Sequence, residues 1–160
     1  MTERTLVLLR HAKSDWQDGV DDADRPLAPR GRRDASAAGR WLCEHVPPIT
    51  AVSCSPALRT LQTWQILRPE LGGTPALHAE PLIYSATVRD LLTVVRRLPA
   101  DATTALVIGH NPGLSELVTE LTGKRIGLKT CGIAVLHADA GWSAADRKWA
   151  TLADTAKPRG

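Results

Sequence analysis

The stretch "TLVLLRHAKSDW", Thr5 to Trp16, opens with an apolar run, Leu6 to Leu9, and breaks directly into Arg10 and His11. A short continuous apolar run with no polar alternation predicts a strand buried on both faces, which is the habit of parallel sheets covered by helices on each side. Thr104 to Ile108 (TALVI) repeats the pattern and is followed by Gly109, His110, Asn111 and Pro112. Ala51 to Ser55 (AVSCS) predicts a shorter strand of the same kind, and Leu77 to Ile83 a weaker one.

Helical patterns lie between these strands. In Arg32 to Val46 the residues Ala35, Ala38, Trp41, Leu42 and Val46 recur at spacings of three and four on one face, and Pro47 and Pro48 end the run. "SPALRTLQTWQIL" predicts a helix with Ser55 as N-cap and Pro56 at its first position, closed by the breaks at Pro69 to Pro75. Val88 to Leu98 and Gly113 to Leu121 complete the set, the latter capped by Asn111 with Pro112 behind it. Gly132 to His137 and Lys148 to Leu152, joined by the polar "ADAGWSAAD", predict a hairpin or sheet edge. The alternation implies an α/β fold, a mostly parallel sheet covered on both faces with an antiparallel addition near the C-terminus. Its 160 residues suit one domain spanning residues 1–160, with a short tail, Ala156 to Gly160, expected to fray.

Composition narrows the function classes. A formal charge of +3, with basic residues scattered rather than clustered among aromatics, weakly favours an anionic ligand and does not point to nucleic acid. Cys43, Cys54 and Cys131 are odd in number and far apart, without zinc spacing, and are expected to be reduced, partly buried thiols. No apolar stretch approaches a membrane span and no basic-then-apolar leader opens the chain, so a cytoplasmic protein with no membrane partner is expected.

Ligands of open α/β sheets bind beyond the carboxyl ends of the strands, where helix N-termini present free N–H groups. At those ends stand Arg10 and His11, then Ser55, Pro56 and, one turn on, Arg59, then Gly109, His110 and Asn111. Each has an ordinary structural reading alone. Together they suit a phosphoryl group: guanidinium forks match its oxygens, a neutral imidazole can attack phosphorus, and a second histidine can stabilise charge on the equatorial oxygens. "TGKR", Thr122 to Arg125, lacks the rest of a nucleotide phosphate loop, and His45, His78 and His137 show no ligand spacing. Trp41 and Trp64 sit at core-like helical positions, whereas Trp16 either packs or lines the mouth of a pocket.

"LVLLRHAKSDW", "DRPLAPRG", "SPALRTLQT" and "LVIGHNPGL", in this order, resemble the histidine phosphatase superfamily, also called phosphoglycerate mutase-like, and most nearly its SixA-type phosphohistidine phosphatase branch. The resemblance implies a three-layer α/β/α sandwich and a hydrolase working through a phosphohistidine on His11, with no metal and no organic cofactor. It implies phosphate binding by Arg10 and Arg59, with His110 completing the pocket, and places Arg25 as a possible substrate or supporting contact. Larger members supply a carboxylic acid to protonate the leaving oxygen. Here the acids between the second helix and the fourth strand are Glu70, Glu80, Asp90 and Asp101, and Glu80 is the nearest candidate by position. A solvated strand-end carboxylate is an equal reading of Glu80. A site without a dedicated acid favours a phosphohistidine substrate, because imidazole can leave already protonated whereas a sugar alkoxide cannot. The expected partner is thus a phosphorylated protein. The alternatives are a phosphatase of small phosphorylated substrates, the phosphomonoesters, and a non-catalytic phosphate-binding module.

Overall fold

In the computed structural model, which describes residues 3–73 and 75–159, a six-stranded sheet has the order β3-β2-β4-β1-β5-β6. The strands are β1 (Arg4–Arg10), β2 (Ala51–Cys54), β3 (Leu77–Ala79), β4 (Thr104–Gly109), β5 (Ile133–Ala138) and β6 (Thr151–Ala156). β3, β2, β4 and β1 run parallel, and β5 and β6 add antiparallel. The helices are α1 (Pro29–His45), α2 (Leu58–Leu67), α3 (Val88–Arg96) and α4 (Gly113–Thr122).

The apolar run of β1 works as its sequence requires. Val7 and Leu9 pack with Leu106 and Ile108 against Ala35, Ala38 and Leu42 of α1 and Trp64 and Leu67 of α2. Leu6 and Leu8 point the other way, with Ala105 and Val107, against Leu91 and Val95 of α3 and Leu114, Leu117 and Leu121 of α4. The three layers follow from this. With helices on both faces, no strand of the centre keeps a polar side. Among the described residues no helix is long and apolar enough to cross a membrane.

Several boundaries differ from expectation; α1, for one, starts at Pro29, three residues before Arg32. α2 starts at Leu58, not at Pro56, because Ser55 N–H still extends the sheet by donating to Ile108 O (3.1 Å) while the Ser55 hydroxyl accepts from Ala57 N–H (3.2 Å). The third strand stops at Ala79: Pro81 has no N–H to give a ladder, and the Glu80 carboxylate accepts from Leu82 N–H (3.1 Å), turning the chain into a short 3-10 helix, Pro81–Ile83. The last strand begins at Thr151 rather than Lys148, because Lys148 N–H and Ala150 N–H donate to Glu120 O and Leu121 O at the end of α4. The tail is also anchored: Ala156 belongs to β6 and Arg159 pairs with Asp34 (3.4 Å), while Gly160 lies outside the described residues.

The "DRPLAPRG" segment returns antiparallel along the stretch after His11. Ser14 bridges Leu27, Asp15 N–H donates to Pro26 O (2.9 Å) and Ala28 N–H donates to Lys13 O (2.9 Å). Gly31, in the first turn of α1, packs so tightly on the Lys13 carbonyl that a Cβ there would overlap it. Residues 16–27 thereby form a strap over the carboxyl ends of the central strands.

Candidate active site

The order β2-β4-β1 sets three parallel strand ends side by side. Arg10 is in register with Gly109, His11 N–H donates to Gly109 O (3.0 Å) and Ser55 N–H donates to Ile108 O. The residues predicted at separate strand ends, Arg10, His11, Ser55, Arg59 and His110, therefore gather at one edge of the sheet.

His11 is 7% exposed and clamped from three directions. Its carbonyl accepts from Cys131 N–H (2.9 Å), and the next residue's N–H, Ala12, donates to Thr63 Oγ1 of α2 (3.1 Å). Its Nδ1 stands 2.7 Å from Ala12 O. A carbonyl only accepts, so Nδ1 carries the proton and Nε2 keeps a bare lone pair. Burial pushes the His11 pKa down to about 3, and the neighbouring His110, Arg59 and Arg10 push the same way, so the ring is neutral at physiological pH.

His110 lies with its ring centroid 5.3 Å from that of His11. Its Nε2 is 2.7 Å from Ser55 Oγ, and its Nδ1 is 3.4 Å from Arg59 Nη2, which only donates. Nε2 is accordingly the protonated nitrogen. Burial, then Arg59, lower its pKa to about 4. Arg59 is 6% exposed and Arg10 is half-buried; the Nε atoms of both are buried with no hydrogen-bond partner among the described residues. Arg10 Nη1 donates to Leu128 O (3.1 Å), a carbonyl that also accepts from the Asn111 side chain (2.7 Å). The N-cap position of α4 is Pro112 rather than Asn111, but Asn111 Oδ1, one residue earlier, still accepts from Ser115 N–H in the first turn of α4 (3.1 Å), so the same side chain serves the helix start and steadies the carbonyl that holds Arg10.

The remaining two candidates fall in different places. Arg25 is buried in the strap, where Nη1 donates to Ser14 Oγ (2.8 Å), Nε pairs with Asp22 Oδ1 (3.2 Å) and the guanidinium lies 3.7 Å over the ring of Trp16. Glu80 stands at the end of β3, with its carboxylate engaged by Leu82 N–H and 3.5 Å from His78 Nε2. None of its described hydrogen bonds or ion pairs reaches His11, His110, Arg10 or Arg59.

The carboxylate that does reach the pocket is Asp22, on the 3-10 helix Asp22–Asp24 of the strap. Its Oδ2 accepts from Arg59 Nη2 (3.1 Å) and from the Tyr84 hydroxyl, and its backbone carbonyl accepts from Arg59 Nη1 (2.7 Å). The Tyr84 ring meets that of His110 edge-on at 5.6 Å. The bond from Tyr84, then the contacts with Arg59 and Arg25, hold the Asp22 carboxyl down at about 2. Sequence reading passes over Asp22 because it is one of four aspartates between Asp18 and Asp24, and its only distinction is standing three residues before the matched Arg25. Tyr84, the one tyrosine of the chain, carried no motif.

The depressed histidines make stability depend on pH with a definite sign. In the unfolded chain both rings titrate near 6.5, in the folded chain near 3 and 4, so below about 6.5 the unfolded state binds more protons. Their contribution is fully retained above that value and is lost as pH falls toward the folded values, at roughly 1.4 kcal/mol per pH unit per ring. The urea midpoint is expected to drop between pH 7 and pH 5, by less in His11→Ala. A midpoint equal at both pH values would mean the rings charge freely in place.

Comparison with known proteins agrees with this architecture. The model of the histidine phosphatase superfamily (branch 1) matches residues 6–83. An uncharacterized protein of Mycobacterium tuberculosis is 40% identical over 162 aligned residues, covering 94% of this chain and 100% of that relative. The solved structure of SixA from Nakamurella multipartitia, assigned there as a phosphohistidine phosphatase, is 32% identical with a TM-score of 0.88 over 100% of this chain and 99% of that one. The protein histidine phosphatase SixA complexed with tungstate shares the fold at a TM-score of 0.81, with 23% identity and 97% of each chain covered. Taken with the site at the ends of β1, β2 and β4, these likenesses make the chain a phosphatase-type hydrolase that belongs to the SixA-type branch of the histidine phosphatase superfamily.

Proposed function

We propose that this phosphatase removes the phosphoryl group from phosphohistidine in a protein, through a covalent phosphohistidine on His11. The observation that carries the reading is the bare Nε2 of a neutral His11, held beside Arg59, Arg10 and His110. Arg10 and Arg59 clamp the phosphoryl oxygens, and the negative charge they gather favours a proton on His110, which then donates to the equatorial oxygens. His11 Nε2 forms the new bond to phosphorus as the substrate's P–N bond breaks, and the bonding pair stays on the departing imidazole. Water then attacks the phosphorus on His11. Its oxygen and both its protons leave with the phosphate, and His11 recovers its lone pair.

The leaving group supports the choice of substrate. A sugar alkoxide must be protonated as it leaves, yet Asp22, the carboxylate in contact with the pocket cations, is ionised, and Glu80 is engaged at the end of β3. An imidazole that already carries a proton on its other nitrogen needs no such acid. The tungstate bound by the SixA protein noted above is a tetrahedral oxyanion, in keeping with a phosphate pocket in this fold.

The test is turnover on a phosphohistidine peptide set against turnover on hexose phosphates. Release of inorganic phosphate from the peptide alone is expected. Activity confined to the sugar phosphates overturns the substrate assignment, and saturable phosphate binding with no release from either overturns the reaction.

A further inference from the structure

His11 is buried, whereas the Asp22 side chain remains 48% exposed although three donors reach it. A carboxylate offers about four acceptor positions, so one faces solvent. An in-line displacement sends the leaving group out opposite the nucleophile, away from the buried His11 and toward solvent. Asp22 is the exposed carboxylate that Arg59, the proposed phosphate clamp, binds directly on that side.

The geometry points to Asp22 as a specificity residue of the reaction proposed above: its open acceptor position takes the N–H on the far nitrogen of the phosphohistidine ring and favours a leaving group that carries that proton. The inference rests on the phosphohistidine reading. The proton stays on the far nitrogen throughout, the pair of the breaking P–N bond stays on the near one, and the ring departs neutral. Without the far proton the ring would have to leave as an imidazolate. The same carboxylate repels leaving groups that bear further negative charge, which would disfavour phosphorylated acids and nucleotides.

The surroundings of Asp22 are built to hold their shape. Arg25 joins Asp22 to Ser14 and stacks on Trp16, which is 78% exposed, while Tyr84 bonds Asp22 and meets His110 edge-on. Arg59 binds both the carboxylate and the carbonyl of Asp22, so Asp22 and the proposed phosphate clamp form one unit.

The experiment compares Asp22→Asn with the wild type on a phosphohistidine peptide and on para-nitrophenyl phosphate, whose leaving group carries no N–H. Asparagine keeps an acceptor oxygen for Arg59 and loses the charge. Both values of kcat/KM are expected to fall, because Arg59 loses its ionic partner, but the ratio of peptide to aryl phosphate is expected to fall further, by about tenfold or more. Residual aryl phosphate turnover reports that the variant is folded. Equal losses on both substrates overturn the inference and leave Asp22 as a positioning residue for Arg59. A wild-type protein active on the aryl phosphate and silent on the peptide overturns the phosphohistidine reading itself, before any variant is compared.

Discussion

His11→Ala is expected to abolish turnover, by at least about 10⁴-fold in kcat. In the proposed cycle the imidazole supplies the lone pair that forms the covalent bond, and among the described residues His110 is the other imidazole of the site. His110 cannot stand in for it. Its Nε2 proton is directed at Ser55 and its Nδ1 faces the Arg59 guanidinium, so neither nitrogen of the neutral ring presents a lone pair to bound phosphate. Brief exposure to a labelled substrate should leave an alkali-stable, acid-labile label on the wild type and none on the variant. A label that persists in His11→Ala would show that another group carries the phosphoryl. Because His11 is buried without contributing to the apolar core, the variant should fold, with phosphate affinity reduced far less than turnover.

The second large effect is expected at Arg59. Arg59→Ala should lower kcat/KM by about 10² to 10³-fold, the usual consequence of deleting one preorganised donor to a developing oxyanion. The loss arises in two ways. The guanidinium proposed to meet phosphate disappears, and Asp22 loses both of its Arg59 contacts, leaving it to Tyr84 and Arg25. The carboxylate then confronts the incoming phosphate with its charge unpaired, so KM should rise along with the fall in kcat. Arg59→Lys should recover little, since one ammonium cannot span the Asp22 carbonyl, the Asp22 carboxylate and the phosphate as the planar fork does. Equal kinetics in Arg59→Lys and the wild type would mean that charge alone matters at this position.

The two predictions differ in how they could be anticipated. His11 stands two residues past an apolar run whose burial on both faces is a local property, and the end of such a strand is where a polar side chain first meets solvent. The sequence places Arg59 one turn into a helix, but the helix starts two residues later than Ser55 and Pro56 suggest, so Arg59 stands at its second position, inside the first turn. That error has a clear cause. Ser-Pro is a common helix start, but the Ser55 backbone is still committed to the sheet through Ile108, and its hydroxyl is committed to Ala57 and His110. Competition between neighbouring strands and the helix for the same groups is not written in the local pattern. Lys148 to Ala150 failed as a strand for a similar reason, since the end of α4 takes their N–H groups.

By itself the sequence determined the α/β alternation, the buried central strands, the strand ends that carry Arg10, His11 and His110, and the family pattern joining them. Periodicity and the exit of a strand from the core are short-range properties, so neighbouring residues suffice to read them. Tertiary structure alone decided which carboxylate meets Arg59, which nitrogen of each histidine keeps its proton, and what Ser55 and Tyr84 touch. Asp22 and Tyr84 are separated by 62 positions, and Arg59 and His110 by 51. Only the order β2-β4-β1, with the strap pinned across it by Ser14 and Leu27, brings those groups within hydrogen-bond reach.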